Sequence, residues 1–177
     1  MKELHRSIEE TRDLYRLYVV FKHTFEAIQR CREADLKKYD ITPEQASALI
    51  LLKNIGDKAT PTEVSGWLFR KPHTVLNLLR RMQKQSLVDM TPDTRNKHII
   101  RIKLTEKGYR VYCHVIQYTS AADTLGRLSK KEQQQLCSLL QFVKEKAMEY
   151  LKLEPKTVSR LTAALMLPFS DTTKTGK

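Results

Sequence analysis

The stretch from Thr60 to Gly108 constrains this chain more than any other: TPTEVSGWLFRKPHTVLNLLRRMQKQSLVDMTPDTRNKHIIRIKLTEKG. It predicts a short capped helix and then a longer helix with one apolar face and one polar, basic face. Two short runs of alternating apolar and polar residues follow, Val88-Asp89-Met90 and Ile100 to Leu104. The turn residues Thr91-Pro92-Asp93-Thr94-Arg95-Asn96 join them. That order of parts is a helix-turn-helix followed by a β-hairpin wing. Such a unit can lay a helix in a DNA groove while a basic loop reaches alongside.

Charge is concentrated on the same stretch. Arg70 to Lys103 holds nine Lys or Arg against Asp89 and Asp93, a net +7 in 34 residues, of +12 for the 177-residue chain. Residues 1–40 hold nine basic and eight acidic residues. A local basic surface draws a polyanion by releasing its condensed counterions, whatever the base sequence. A solvated basic face would carry the same charge, so charge alone does not decide.

Five glycines and six prolines in the whole chain point to long helices and few elaborate loops. A helix is expected from about residue 4 to 36, with Leu4, Ile8, Tyr15, Tyr18, Val19, Phe25 and Ile28 at three- and four-residue steps. Leu14, Leu17 and Phe21 widen its apolar surface beyond one face, which predicts packing on its own subunit and on a second one. Thr42-Pro43-Glu44-Gln45, Thr60-Pro61-Thr62-Glu63 and Ser129-Lys130-Lys131-Glu132 are capping boxes. They predict helices over 43–55, 61–69 and 130–152. Another helix, capped by Thr105, should run to about Asp123, with Val111, Val115, Tyr118 and Ala122 on its apolar side. The helix from Lys130 should bury Leu136, Leu139, Leu140, Val143 and Ala147. After Pro155 a short amphipathic piece, Val158 to Leu167, precedes a tail from Ser170 to Lys177 of disorder-prone composition.

Over Pro72 to Gln85, a 100° step per residue gathers Val75, Leu78, Leu79 and Met82 on one side. His73, Asn77, Arg80 and Lys84 lie opposite, with Thr74 and Arg81 on one edge and Leu76 on the other. Imidazole, amide, hydroxyl and guanidinium groups suit base edges and phosphates. His73, Thr74 and Asn77 should go deepest, Leu76 suits a thymine methyl, and Arg80, Arg81 and Lys84 suit phosphates. In the wing, Asp93 is expected to hold the Arg95 guanidinium and ready it for a narrow minor groove.

These residues resemble the MarR family of bacterial and archaeal transcription regulators from about Ile41 to Gly108. The similarity is carried by Thr62–Leu68, HTVLNLLRRMQKQSLV from His73, the wing DTRNKH from Asp93 and LTEKG from Leu104. The resemblance implies a homodimer built from N- and C-terminal helices, with two winged units on a pseudopalindromic operator. The family's recognition-helix contacts map onto His73, Thr74, Leu76 and Asn77, and its wing Asp and Arg onto Asp93 and Arg95; with Lys71, Arg80, Arg81 and Lys84 on the helix and Asn96 and Lys97 in the wing, these make up the expected DNA-contacting set. Four positions depart from the pattern. Phe69 and Ser86 stand where glycines are usual, Lys71 stands where a capping Ser is usual, and Leu76 replaces a small or hydroxyl residue.

The fold class expected is mainly α with a small β-wing (α+β), a winged helix-turn-helix core plus an all-helical dimerisation layer. The expected division is an N-terminal dimerisation helix (1–40), a DNA-binding domain (41–104), C-terminal dimerisation helices (105–154), and a short amphipathic segment with a flexible tail (155–177). Double-stranded DNA and a second copy of the chain are the expected partners, with a small-molecule effector as an open candidate and its ligand residues unknown. The reading is a sequence-specific, homodimeric repressor. A winged-helix protein-interaction module and a redox-responsive regulator using Cys31, flanked by Arg30 and Arg32, are the alternatives.

No enzyme is expected, because no nucleophile–base set, phosphate loop or paired-carboxylate motif is present. No cofactor is expected either. The histidines His5, His23, His73, His98 and His114 are scattered, which gives no metal site. Cys31, Cys113 and Cys137 are odd in number and far apart, which fits reduced thiols and a cytoplasmic location. Cys113 and Cys137 read as small core residues. Tyr15, Tyr18 and Trp67 are aromatic candidates for a ligand pocket, or simply core. No run approaches ~18 apolar residues, so no membrane span is expected.

Overall fold

The computed structural model describes residues 7–117 and 120–152. Leu4, His5, Tyr118 and everything after Lys152, including the amphipathic piece and tail expected from Val158 onward, lie outside the described residues.

Seven α-helices and one two-stranded sheet are described: α1 (Ile8–Leu36), α2 (Pro43–Ile55), α3 (Pro61–Trp67), α4 (Pro72–Lys84), β1 (Val88–Pro92), β2 (Ile100–Leu104), α5 (Glu106–Gln117), α6 (Ser120–Leu125) and α7 (Lys130–Tyr150). The three capping boxes read from the sequence are formed. A fourth opens α1: the Ser7 hydroxyl accepts the Glu10 N–H at 3.1 Å, and Glu10 accepts the Ser7 N–H at 3.0 Å. The residue pattern S-x-x-E was there to be read. Each cap satisfies helix N–H groups that would otherwise lack a partner, contributing about 1 kcal/mol.

Helices α3 and α4 end alike. After α3, Phe69 takes φ 49°, and the Arg70 N–H reaches back to the Ser65 carbonyl at 3.1 Å. After α4, Ser86 takes φ 57°, and the Ser86 and Leu87 N–H groups reach the Gln83 and Met82 carbonyls at 2.9 Å each. Both are left-handed helix stops of the kind glycine usually supplies.

The core lies between these helices and the wing. Leu49, Leu51 and Leu52 of α2, Val64 of α3, and Val75, Leu78, Leu79 and Met82 of α4 are buried together with Leu87, Val88 and Ile102. Strands β1 and β2 are antiparallel, with Val88 opposite Leu104 and Met90 opposite Ile102. The stem of β2 is also tied to the link between α2 and α3, since Ile102 N–H donates to the Ala59 carbonyl at 3.0 Å. Thr105 caps α5 through a 3.0 Å bond to the Gly108 N–H, while its own hydroxyl donates to the Ser86 carbonyl at 2.6 Å. Val111 and Val115 of α5 join the same core. α5 therefore serves the winged unit as well as leading to the helices beyond.

Where one helix was expected from Thr105 to about Asp123, two are described, with residues 118 and 119 between them outside the described set. The start of α6 is fixed to α1: the Ser120 N–H donates to the Asp35 carboxylate at 2.7 Å. That bond, with the nearby Lys38 and Arg32, holds the Asp35 carboxyl below its ordinary range.

Among the described residues the burial expected for α7 is not found. Leu136, Leu139, Leu140, Val143 and Ala147 are exposed, and the buried residue is Met148. α1 repeats this, with Leu14, Tyr15, Leu17, Tyr18, Val20, Phe21 and Phe25 exposed. The apolar periodicity is real, but among the described residues no element covers those faces. Cys113 and Cys137, expected in the core, are half-buried, and Cys31 is exposed.

Candidate nucleic-acid interface

α4 starts without a side-chain cap. Lys71 occupies the cap position with extended backbone (φ −64°, ψ 143°), and Pro72 opens the first turn. The helix is divided cleanly by burial. Val75, Leu78, Leu79 and Met82 face the core, whereas Lys71, His73, Thr74, Asn77, Arg80, Arg81 and Lys84 are exposed, with Leu76 half-buried between the two sides. The strength of the apolar face fixes the rotation of α4 about its axis, and so which side chains point outward. Arg81 and Lys84 fall in the last turn, where helix carbonyls favour cations.

The end of α4 is anchored by a contact between glutamines. Gln45 of the α2 capping box is buried, and its amide donates to Gln85 at 2.6 Å; Gln85 in turn donates to the Asp40 carbonyl at 2.9 Å. The capping residue of one helix thereby sets where the other ends. Sequence reading gave Gln45 only its local capping role. A glutamine at that position is the visible signal, but its partner is 40 residues away.

The wing is built around Asp93. One carboxylate oxygen accepts the backbone N–H groups of Arg95 (2.9 Å) and Asn96 (3.0 Å); the other accepts the Arg101 guanidinium Nε. The expected side-chain pair between Asp93 and Arg95 is corrected here. Asp93 holds the Arg95 amide, and its guanidinium partner is Arg101. Asp93 follows directly on the Pro92–Ile100 pair that ends the ladder. There its carboxylate meets the turn's own N–H groups on one side and β2 on the other. Together Arg101, Asn96 and Arg95 hold the Asp93 carboxyl at about 2, down from the ordinary 3.8. The turn is closed further by Asp93 N–H to the Ile99 carbonyl (2.8 Å) and His98 N–H to the Asn96 side chain (3.1 Å). Arg95, Asn96 and Lys97 are exposed on it, while Asp93 is half-buried.

Arg101 entered the sequence reading only as a charge. It also donates to the Lys58 carbonyl at 2.7 Å, and its neighbour Lys103 pairs with Asp57 at 3.0 Å. Alternation along β2 places both basic side chains opposite buried Ile102, which is the signal that they share one outer face.

The aromatic candidates stand apart in role. Tyr15 and Tyr18 pair on the exposed side of α1 with ring centres 6.1 Å apart, and Trp67 is half-buried on α3. Among the described residues no three His, Cys, Asp or Glu side chains gather as metal ligands, and no helix is long and apolar enough to cross a membrane.

No family model matches the chain. An uncharacterised HTH-type transcriptional regulator, YsmB of Bacillus subtilis (strain 168), is 38% identical over 88 residues, which is 50% of this chain and 59% of that protein. The match therefore spans about three-fifths of the relative. Among solved structures, the ligand-free organohalide-sensing transcriptional regulator RdhR-CbdbA1625 has a TM-score of 0.69 at 22% identity, covering 89% of this chain and 94% of its own. A MarR family protein from Bacillus stearothermophilus has a TM-score of 0.62 at 27% identity, covering 78% and 97%. A mutant MarR from E. coli in complex with operator DNA has a TM-score of 0.66 at 21% identity, covering 74% and 95%.

Proposed function

We infer that this chain, whose fold is that of the MarR family of transcription regulators, is a sequence-specific, double-stranded-DNA-binding regulator acting as a homodimeric repressor. One observation carries the reading: the polar side of α4 is exposed along its whole length while its apolar side is buried. Beside it stands a hairpin whose turn is hydrogen-bonded through Asp93, with Arg95 and Lys97 exposed. An α-helix with that division fits the width of a major groove, and an arginine on a hairpin suits the narrower groove beside it.

His73, Thr74 and Asn77, near the start of α4, read base edges, with Leu76 against a thymine methyl. Lys71, Arg80, Arg81, Lys84 and Lys97 meet phosphates. The exposed apolar sides of α1 and α7 join two copies. Two heads then meet half-sites about one helical turn apart, ~34–36 Å, and occupancy blocks a promoter.

A small-molecule effector is the finer part of the proposal. An open cleft of about 690 Å³ lies between the end of α1, the start of α2 and the end of α4, with Lys37, Glu44, Arg81 and Lys84 on its walls. A ligand there would touch both the helical layer and the reading helix, and would release DNA by favouring a different spacing of the heads.

The test is selection of duplexes from a random pool by the full chain, followed by titration of the recovered sequence and a scrambled one. The expected result is preference for an inverted repeat. Asn77→Ala should cost ~1–3 kcal/mol on the recovered site and little on the scrambled one. Equal binding of the two duplexes by the unaltered protein overturns the reading.

A further inference from the structure

Three consecutive residues of β2 grip the short turn between α2 and α3. Arg101 donates to the Lys58 carbonyl, Ile102 N–H donates to the Ala59 carbonyl, and Lys103 pairs with Asp57. That turn runs straight into the Thr60 cap of α3, and so into the helix-turn-helix. Of the three, Arg101 alone also reaches the wing turn, through Asp93. Its side chain is 27% exposed and that of Asp93 16%, in contrast to the exposed Arg95 and Lys97 beyond them.

We propose that Arg101 is the positioning residue of the wing: its guanidinium clamps Asp93 to the Lys58 carbonyl, and so fixes Arg95 relative to the helix-turn-helix without itself touching DNA. This rests on the DNA-binding reading above. The geometry explains why the residue is an arginine. One flat group donates Nε to a carboxylate and a terminal nitrogen to a backbone carbonyl, two directions that a single ammonium does not span. Asp93 then passes the constraint on, because its other oxygen holds the Arg95 and Asn96 amides. Removing Arg101 leaves the hairpin ladder intact but unhooks the turn from both ends of the clamp. Arg95 would then enter its groove from a wide range of poses, losing rotational freedom on binding that the clamp removes in advance.

Two arms test this on the full chain. The first needs no DNA. Amide hydrogen exchange is compared in the unaltered protein, Arg101→Gln and Arg101→Lys. The expected result is at least ~10-fold faster exchange at Arg95 and Asn96 in both variants, with α4 unchanged; wing exchange that stays the same overturns the proposal. If the glutamine variant melts throughout, the lysine variant supplies the comparison.

The second arm titrates a duplex selected from a random pool. Arg101→Gln should weaken binding about 10-fold, and Arg101→Lys nearly as much. In an Arg95→Ala background the same changes should have almost no effect, because they act through Arg95. Additive losses would mean that Arg101 contacts DNA directly, and full rescue by lysine would mean that charge alone matters; either result overturns the proposal. Failure of the unaltered protein to bind any duplex sinks the DNA-binding reading, while the exchange arm still decides the clamp.

Discussion

A β-carbon placed on Gly108 would lie 1.9 Å from the carbonyl oxygen of Leu87. The first turn of α5 is seated directly on the backbone that enters β1, and the same carbonyl accepts the Thr105 N–H at 3.2 Å. The glycine of LTEKG is needed for this approach and not for its backbone angles, since among the described glycines Gly56 is the one with positive φ. Gly108→Ala must therefore push helix and strand apart. Alanine's better helix propensity, worth ~1 kcal/mol, does not offset a clash with backbone atoms. Urea unfolding should show a net loss of ~1–3 kcal/mol, the range of overpacked sites. An unchanged midpoint would mean that the contact relaxes freely.

The opposite sign is expected where glycine is missing. Ser86 and Phe69 sit at φ 57° and 49°, which costs an ordinary residue ~1–2 kcal/mol. Ser86→Gly removes that cost while keeping the backbone carbonyl that Thr105 uses. Glycine's greater freedom in the unfolded chain returns ~0.5–1 kcal/mol of it. Thermal melting should rise for Ser86→Gly, by up to ~1 kcal/mol of stability at the midpoint. Phe69→Gly should behave alike, because its ring is half exposed and gives up little burial. A fall in both variants would contradict the strain argument.

These positions mark what could be read from the chain. Helix starts were legible because a capping box is local: Thr42, Thr60 and Ser129 each find their partner three residues on. The buried side of α4 was legible because four apolar residues at helical spacing leave one rotation. The Asp93–Arg101 pair was not, since eight residues separate the two and Arg95 lies nearer in sequence. The Gln45–Gln85 bond needed the tertiary fold. For α7 the apolar stripe was visible, but a stripe does not say whether its cover comes from the same chain. Leu139 remains 66% exposed.

Lys71 sets stability against binding. It leaves the first N–H groups of α4 without a side-chain cap, and Lys71→Ser supplies an acceptor worth ~1 kcal/mol. The same change deletes a cation beside the proposed phosphate path. The variant should melt higher yet bind its duplex more weakly, with a salt dependence shallower by about 0.9 in the log–log slope. A steeper or unchanged slope would remove Lys71 from the phosphate contacts.

Acid should loosen the wing only as pH falls below the ordinary carboxylate value towards the depressed one of Asp93. The folded Asp93 carboxyl ionises at about 2, below its ordinary 3.8, first through Arg101 and then through the Asn96 and Arg95 amides. A depressed carboxylate contributes stability that is fully present above its unfolded value and is lost as pH falls through the folded one. Wing order should therefore hold down to about pH 4 and fade towards pH 2, read as amide exchange at Arg95 corrected for its intrinsic pH dependence. Asp93→Asn should flatten that window and show the loosened turn at every pH. A variant with the same acid profile as the parent would assign the transition to another group.

Two helices whose apolar sides no described element covers give the last expectation. Leu17 on α1 and Leu139 on α7 are each 66% exposed, amid Phe21, Phe25, Leu140 and Val143, all at least two-fifths exposed. Single exposed leucines are ordinary, but contiguous stripes on two long helices mark an association surface. Burying one such side chain against a second copy contributes ~1.5–3 kcal/mol, so an aspartate in its place opposes assembly twice over, by lost burial and by charge desolvation. Light scattering should report a dimer for the unaltered chain and monomers for Leu17→Asp and Leu139→Asp. The winged unit keeps its own core in both, since neither residue belongs to it. Each monomer should still bind DNA through one head, at an affinity at least ~100-fold lower, because the second half-site no longer comes tethered to the first. An unaltered chain that is monomeric at micromolar concentration would overturn the two-headed arrangement while leaving the single reading head in place.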